Sequence, residues 1–158
     1  MTIPSGPIRR IGPELFENQL REEEIELLSL LPSLVEEAIE MNSPYVARMF
    51  PPTYPFDAVA QSKFEKTTGD SLVEKHKVML EGFTSSLHNK QLNFADLAIW
   101  VGAINDIRLL LGTTLDVYEG MEPPDPSDPT YHNFVIYDYL AWLQGSILDF
   151  LGSQFSDD

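Results

Sequence analysis

From Asn93 to Leu115 the chain reads NFADLAIWVGAINDIRLLLGTTL, and the fold turns on this stretch. At ~100° per residue, Leu97, Ile104, Ile107 and Leu111 fall beside Trp100, while Ile99, Ala103 and Leu110 fill the opposite flank. A helix that is apolar almost all round belongs in the interior of a protein. This one nevertheless carries Asn105, Asp106 and Arg108 at mid-length, and a buried guanidinium or carboxylate is too costly to leave without a partner. The helix therefore either anchors an internal polar network or builds a site. Asn93 is placed to cap its start, with Asp96 in the first turn, and Gly112 to end it.

Further out, helical periodicity returns twice. In Arg21 to Met41, the residues Ile25, Leu27, Leu28, Leu31, Leu34, Val35, Ala38 and Ile39 share one side, opposite Glu22, Glu26, Glu36 and Glu40. Pro32 inside that run predicts a kink near Ser29. Pro129 to Leu151 is the last helix, opened by Asp128, with Ile136, Tyr139, Leu140, Leu143, Ile147 and Phe150 on its core side. Asp57 to Leu87 is one long helix or a pair, weakened at Thr67, Thr68 and Gly69, with Leu72, Met79, Leu80, Phe83 and Leu87 facing inward. Pro44 can open a short turn through Phe50, and Pro51, Pro52 and Pro55 enforce a bend around Tyr54. Glu14 to Leu20 is ambiguous between a short strand and a helix start.

The expected fold is a single-domain, all-α bundle of about five helices, with the option of a short N-terminal strand. Residues 1–13, rich in proline and glycine, are expected to be a flexible arm. Residues 14–152 form the helical domain, interrupted by an acidic, proline-rich loop over 113–128, and 153–158 form an acidic tail.

Composition narrows the function. The 158 residues are 43% apolar, enough for one domain with a real core. The longest apolar run, Leu97 to Ile104, is far short of the ~20 residues of a membrane span, and the start does not resemble a secretory signal. A cytoplasmic location away from membranes is expected. The absence of cysteine excludes disulfides, thiolate metal sites and cysteine nucleophiles within this chain. The net charge is -15, and after Arg108 there are nine Asp and Glu but no Lys or Arg. That balance argues against direct nucleic-acid binding; it suits a basic protein partner, and more simply reads as charge that keeps a small domain soluble.

The remaining chemistry is sparse. His76 lies on an apolar face and reads as a hydrogen-bonded core histidine, while His88 and His132 sit near turns. Neither an E-x-x-H pair nor H-E-x-x-H occurs, and the glycine-rich phosphate loops and the G-x-S-x-G elbow are missing, so no catalytic residue, metal or cofactor is expected. Glu22, Glu23 and Glu24 are consecutive, point around their helix and read as solvated charge. The candidate polar network is Asn105, Asp106, Arg108, Asp138 and Gln144, with Arg108 and Asp138 paired across the interface of the central and last helices. Tyr131, Tyr139 and Trp142 are the candidate interface of a homodimer, because the aromatics of the last helix are spread all round it.

The run Trp100 to Leu115 (WVGAINDIRLLLGTTL), followed by Tyr137 to Gln144 (YDYLAWLQ), resembles an actinobacterial domain-of-unknown-function family often encoded beside the adaptor of the Clp protease. The resemblance takes in Phe64 to Leu72 and helix one, nearly the whole chain after residue 14. It implies a mostly helical fold and no accepted enzymatic activity. For some members it implies stress-linked transcriptional regulation, with a cysteine pair that senses oxidation, and this chain has no cysteine. The function expected from residues and resemblance together is a non-enzymatic regulatory or protein-interaction module. The alternative is a small-molecule-binding protein or enzyme with a polar pocket around Arg108.

Overall fold

Asn93 caps the central helix as its sequence requires. Its Oδ1 accepts the Asp96 amide at 2.8 Å, and Asp96 Oδ2 accepts the Asn93 amide at 3.0 Å. The computed structural model describes residues 6–41, 43, 57–59 and 70–155, with 70, 71 and 153–155 in backbone course alone. In chain order these residues form β1 (Ile8–Arg10), β2 (Phe16–Asn18), α1 (Glu22–Leu30), α2 (Pro32–Glu40), α3 (Asp70–Ser86), β3 (Gln91–Leu92), α4 (Phe94–Leu115) and α5 (Tyr131–Phe155).

The architecture is mostly helical but not purely all-α. A three-stranded antiparallel sheet in the order β1-β2-β3 joins the N-terminal hairpin to the residues just before α4. Phe16 pairs with Arg10 on one side and Leu92 on the other. Its ring, fully buried, meets Phe94 edge-on at 5.1 Å and Phe150 at 5.2 Å. The sheet is thereby stapled to the first turn of α4 and the last turns of α5, which run antiparallel. Arg10 spreads its guanidinium over the rings of Phe16 and Phe94, at 5.4 and 5.9 Å.

Several sequence boundaries shift for physical reasons. The expected arm over 1–13 ends sooner, because Ile8 is buried and β1 is hydrogen-bonded into the sheet; residues 1–5 lie outside the described residues. Within Glu14 to Leu20, Phe16–Asn18 is strand. The first helix breaks at Leu31 rather than near Ser29, since Pro32 takes the first position of α2, where its missing N–H costs nothing. Counting α1 and α2 as one broken rod, the described helices make four rods where about five were expected. Thr67, Thr68, the turn from Pro44 to Phe50 and the bend around Tyr54 fall outside the described residues.

Gly112 does not end α4. The helix runs on to Leu115 and stops at Asp116, which takes the left-handed conformation (φ 58°, ψ 43°), with the Val117 amide reaching back to the Gly112 carbonyl at 2.9 Å. The acidic loop therefore starts at Asp116, not at residue 113. It closes with two successive Asx turns. Asp125 Oδ1 accepts the Ser127 amide and hydroxyl, and Asp128 Oδ1 accepts those of Thr130, all within 2.7–2.9 Å. These bonds, the backbone amides first, hold both carboxyls below their ordinary range. The final helix starts at Tyr131 rather than Pro129 and continues to Phe155, into the segment expected to be tail.

The core forms around α4. Trp100 is fully buried against Phe83, and its indole N–H donates to the Ser86 hydroxyl at 2.7 Å, so the ring's one polar atom is satisfied. Leu97, Ala103, Ile104 and Ile107 of α4 meet Leu80 and Leu87 on one side and Leu140, Leu143 and Ile147 of α5 on the other. Among the described residues no helix is long and apolar enough to cross a membrane.

Candidate functional site

The expected polar network is not one cluster: its members on α4 point to different faces, and Asp138 of α5 is exposed and joins neither. Asp106 and Arg108 are two residues apart, so they point ~200° away from each other and cannot share one cluster.

Arg108 faces α5. Its Nη1 donates to Gln144 Oε1 at 2.5 Å, and its guanidinium lies over the Tyr137 ring at 5.1 Å. Gln144 Nε2 in turn donates to the Val101 carbonyl at 3.3 Å and reaches Asn105 Oδ1 at 3.5 Å. Gly112 makes room for this arrangement, since a Cβ there would lie 3.1 Å from Tyr137 Cε2. The Arg108 Nε is buried with no hydrogen-bond partner among the described residues. The expected pairing of Arg108 with Asp138 is thus corrected. Tyr137 and Gln144 are seven apart and share the stripe of α5 that faces α4, whereas Asp138 is turned ~100° from Tyr137 and is exposed. A neutral amide and an aromatic face hold the guanidinium in place of a carboxylate, which avoids desolvating a second charge.

Asp106 faces α3. Its side chain is 3% exposed, and its Oδ2 stands 2.6 Å from His76 Nδ1. Close approach of the two helices is permitted by Gly102, where a Cβ would fall 2.4 Å from Met79 Sδ. The pair lines a cleft of about 300 Å³ together with Leu72, Lys75, Met79, Gly102 and Asn105. His76 is hydrogen-bonded, as its apolar surroundings led us to expect. Its partner was not legible.

The third feature lies at the other side of α5. A groove of about 760 Å³ is lined by Gly6, Pro7, Gln19, Arg21, Glu24, Tyr139, Trp142 and Ser146. Trp142 is 52% exposed and lies 5.9 Å from the Tyr139 ring. Tyr139 is half-buried, and its hydroxyl donates to Glu24 Oε2 at 2.5 Å. The other oxygen, Oε1, accepts the Arg21 Nε at 3.0 Å and the Arg21 amide at 3.2 Å. Burial pushes the Glu24 carboxyl up, yet the Tyr139 hydroxyl and the Arg21 bonds outweigh it and hold the group below its ordinary value. Burial first, and then the bond to Glu24, push the Tyr139 hydroxyl far above the usual phenol range. Glu24 is therefore not the solvated charge its neighbours suggested. The signal that could have found it is Tyr139 itself, whose hydroxyl sits on an apolar stripe and needs an acceptor. Of the candidate interface residues, Trp142 is exposed while Tyr131 and Tyr139 are half-buried.

Comparison with known proteins adds one finding. No curated protein and no solved structure matches the chain. The family model described as Domain of unknown function (DUF2017) matches residues 8–151, from the first residue of β1 into the last turns of α5. All the side chains of the two α4 clusters and six of the groove's eight lining residues lie within that span, and the chain belongs to this family of unknown function.

Proposed function

We propose that the chain is a non-enzymatic regulatory module of the cytoplasm that works by binding another protein through the Trp142 side of α5. The observation that supports this reading is Trp142 itself, an indole 52% exposed on a helix whose Leu140, Leu143 and Ile147 are fully buried, set in a groove of about 760 Å³. Exposed aromatics that line a groove are frequent binding hot spots. The resemblance to the actinobacterial family supports stress-linked transcriptional regulation, and the net charge of -15 favours reaching transcription through a protein rather than through DNA phosphates. Affinity capture from the cells of origin tests the reading. A protein retained by the wild type and lost from Trp142→Glu, at unchanged helicity, supports it, and identical captured sets overturn it. A second copy of the chain is a partner of the same kind, read by light scattering at ~100 μM, well above the dissociation constant of a stable interface.

A second reading, a small-molecule or catalytic pocket, draws support from the cleft beside His76 and Asp106 rather than from Arg108, whose guanidinium is covered by Tyr137 and Gln144. Ligand-induced thermal stabilisation that disappears in Asp106→Asn would favour it.

A further inference from the structure

We infer that the partner presents a basic segment, with an arginine or lysine cation seated on the face of Trp142 between the carboxylates of Asp138 and Asp149. This rests on the interaction reading above and goes further by naming the chemistry of the partner.

Three observations carry it. Trp142 offers the aromatic surface best suited to a cation, and it is half exposed. Elsewhere the chain fills such surfaces itself, with Arg10 over Phe16 and Phe94 and Arg108 over Tyr137. Among the described residues no cation lies over Trp142. The ring's neighbourhood is also acidic. Asp138 is four residues before Trp142 and Asp149 seven after, so both share its face of α5, about 6 Å and about 10 Å away along the axis. Both are exposed. The one cation of the groove, Arg21, is engaged by Glu24 at 3.0 Å, and beyond Arg108 the chain supplies no Lys or Arg at all. No described residue supplies the complementary charge at this ring, and a partner's cation fits it.

Space along this face is open. Apart from its chain neighbours and its own helix backbone, no described atom lies within 4 Å of a Cβ built at Gly145, one turn beyond Trp142. A basic segment can lie close along α5 there, with one side chain over the indole and its neighbours beside the two aspartates.

The test uses the full chain and an oligo-arginine peptide, with an oligo-glutamate of equal length as control. Trp100 is fully buried, so a change in the quenchable tryptophan emission reports Trp142. Oligo-arginine should bind saturably and shield that emission, and oligo-glutamate should do neither. Calorimetric titration should show binding weakened roughly fivefold by Trp142→Ala, the scale of a cation–π contact, and largely kept by Trp142→Phe. Asp138→Asn combined with Asp149→Asn should weaken binding and flatten its salt dependence. Equal affinity of wild type and Trp142→Ala would mean general attraction to an acidic surface and would overturn the inference. So would absence of binding. If the peptide fails while Trp142→Glu still loses a captured protein, the cation is wrong and the interaction reading stands; if both fail, both are wrong.

Discussion

His76 Nδ1 on α3 stands 2.6 Å from Asp106 Oδ2 on α4, and the carboxylate is 3% exposed. This contact ties the two helices beside Gly102, whose missing side chain leaves room for Met79. His76→Ala removes a hydrogen-bond partner of a buried carboxylate and should destabilise the protein by about 1–3 kcal/mol. Asp106→Asn, which keeps the shape and an acceptor, should cost less. Denaturant unfolding measures both, and a loss below ~0.5 kcal/mol for His76→Ala would assign the contact no structural weight.

The glycines of α4 and α5 should respond in opposite directions. Gly112→Ala drives a methyl against Tyr137 at 3.1 Å and disturbs the ring on which Arg108 rests, so it should cost about 1–2 kcal/mol in spite of alanine's better helix propensity. Gly145→Ala meets open space and should gain up to ~1 kcal/mol from that propensity. Thermal unfolding of the two variants separates them, and equal shifts of the same sign would refute the packing assigned to Gly112.

Arg108→Ala should cost about 1–2 kcal/mol. The change loses one hydrogen bond and one cation–π contact and leaves a neutral amide behind. A buried carboxylate partner would have made the cost roughly 3–5 kcal/mol. Urea unfolding discriminates the two, and Arg108→Met, which keeps the apolar stem over Tyr137, should recover part of the loss.

Tyr139 and Glu24 predict a pH window. The Glu24 carboxyl is held below its ordinary value, so its contribution is present above the unfolded value of ~4.3 and is lost as pH falls through the folded one. The Tyr139 hydroxyl is raised, so its contribution is full below ~10 and is lost as pH climbs above that. The stability difference between wild type and Tyr139→Phe should therefore be largest between these limits and shrink on both sides. At a pH about one unit above the ordinary phenol value the two proteins should give the same phenolate absorbance, because Tyr139 has not ionised. An excess of one tyrosine in the wild type would contradict the contact.

The sequence carried the parts of this fold that depend on long periodicity. Trp100, Ile104 and Ile107 announce a buried central helix over more than six turns, and Asn93 with Asp96 marks its start. Of the sheet it carried only the option of a strand within Glu14 to Leu20, because three residues such as Phe16 to Asn18 are too short for an alternating pattern to stand out. The candidate site was legible as a set of residues but not as a set of partners. Periodicity says which residues of a helix share a face, so Asp106 and Arg108 could have been separated on that ground alone. It does not say which helix lies opposite, so the choice of Gln144 over Asp138, and of His76 for Asp106, waited on the packing. The bond from Tyr139 to Glu24 spans 115 residues of chain, and no local pattern announces such a contact.

Photo-crosslinking from position 142 tests the central claim most directly. A photoreactive phenylalanine analogue replaces Trp142 in the cells of origin, and a control protein carries it at Val78, an exposed residue of α3. The account predicts one dominant protein adduct from position 142, weakened by competing oligo-arginine and missing from position 78. The same pattern of adducts from both positions, or none from 142 while 78 reacts, would contradict it.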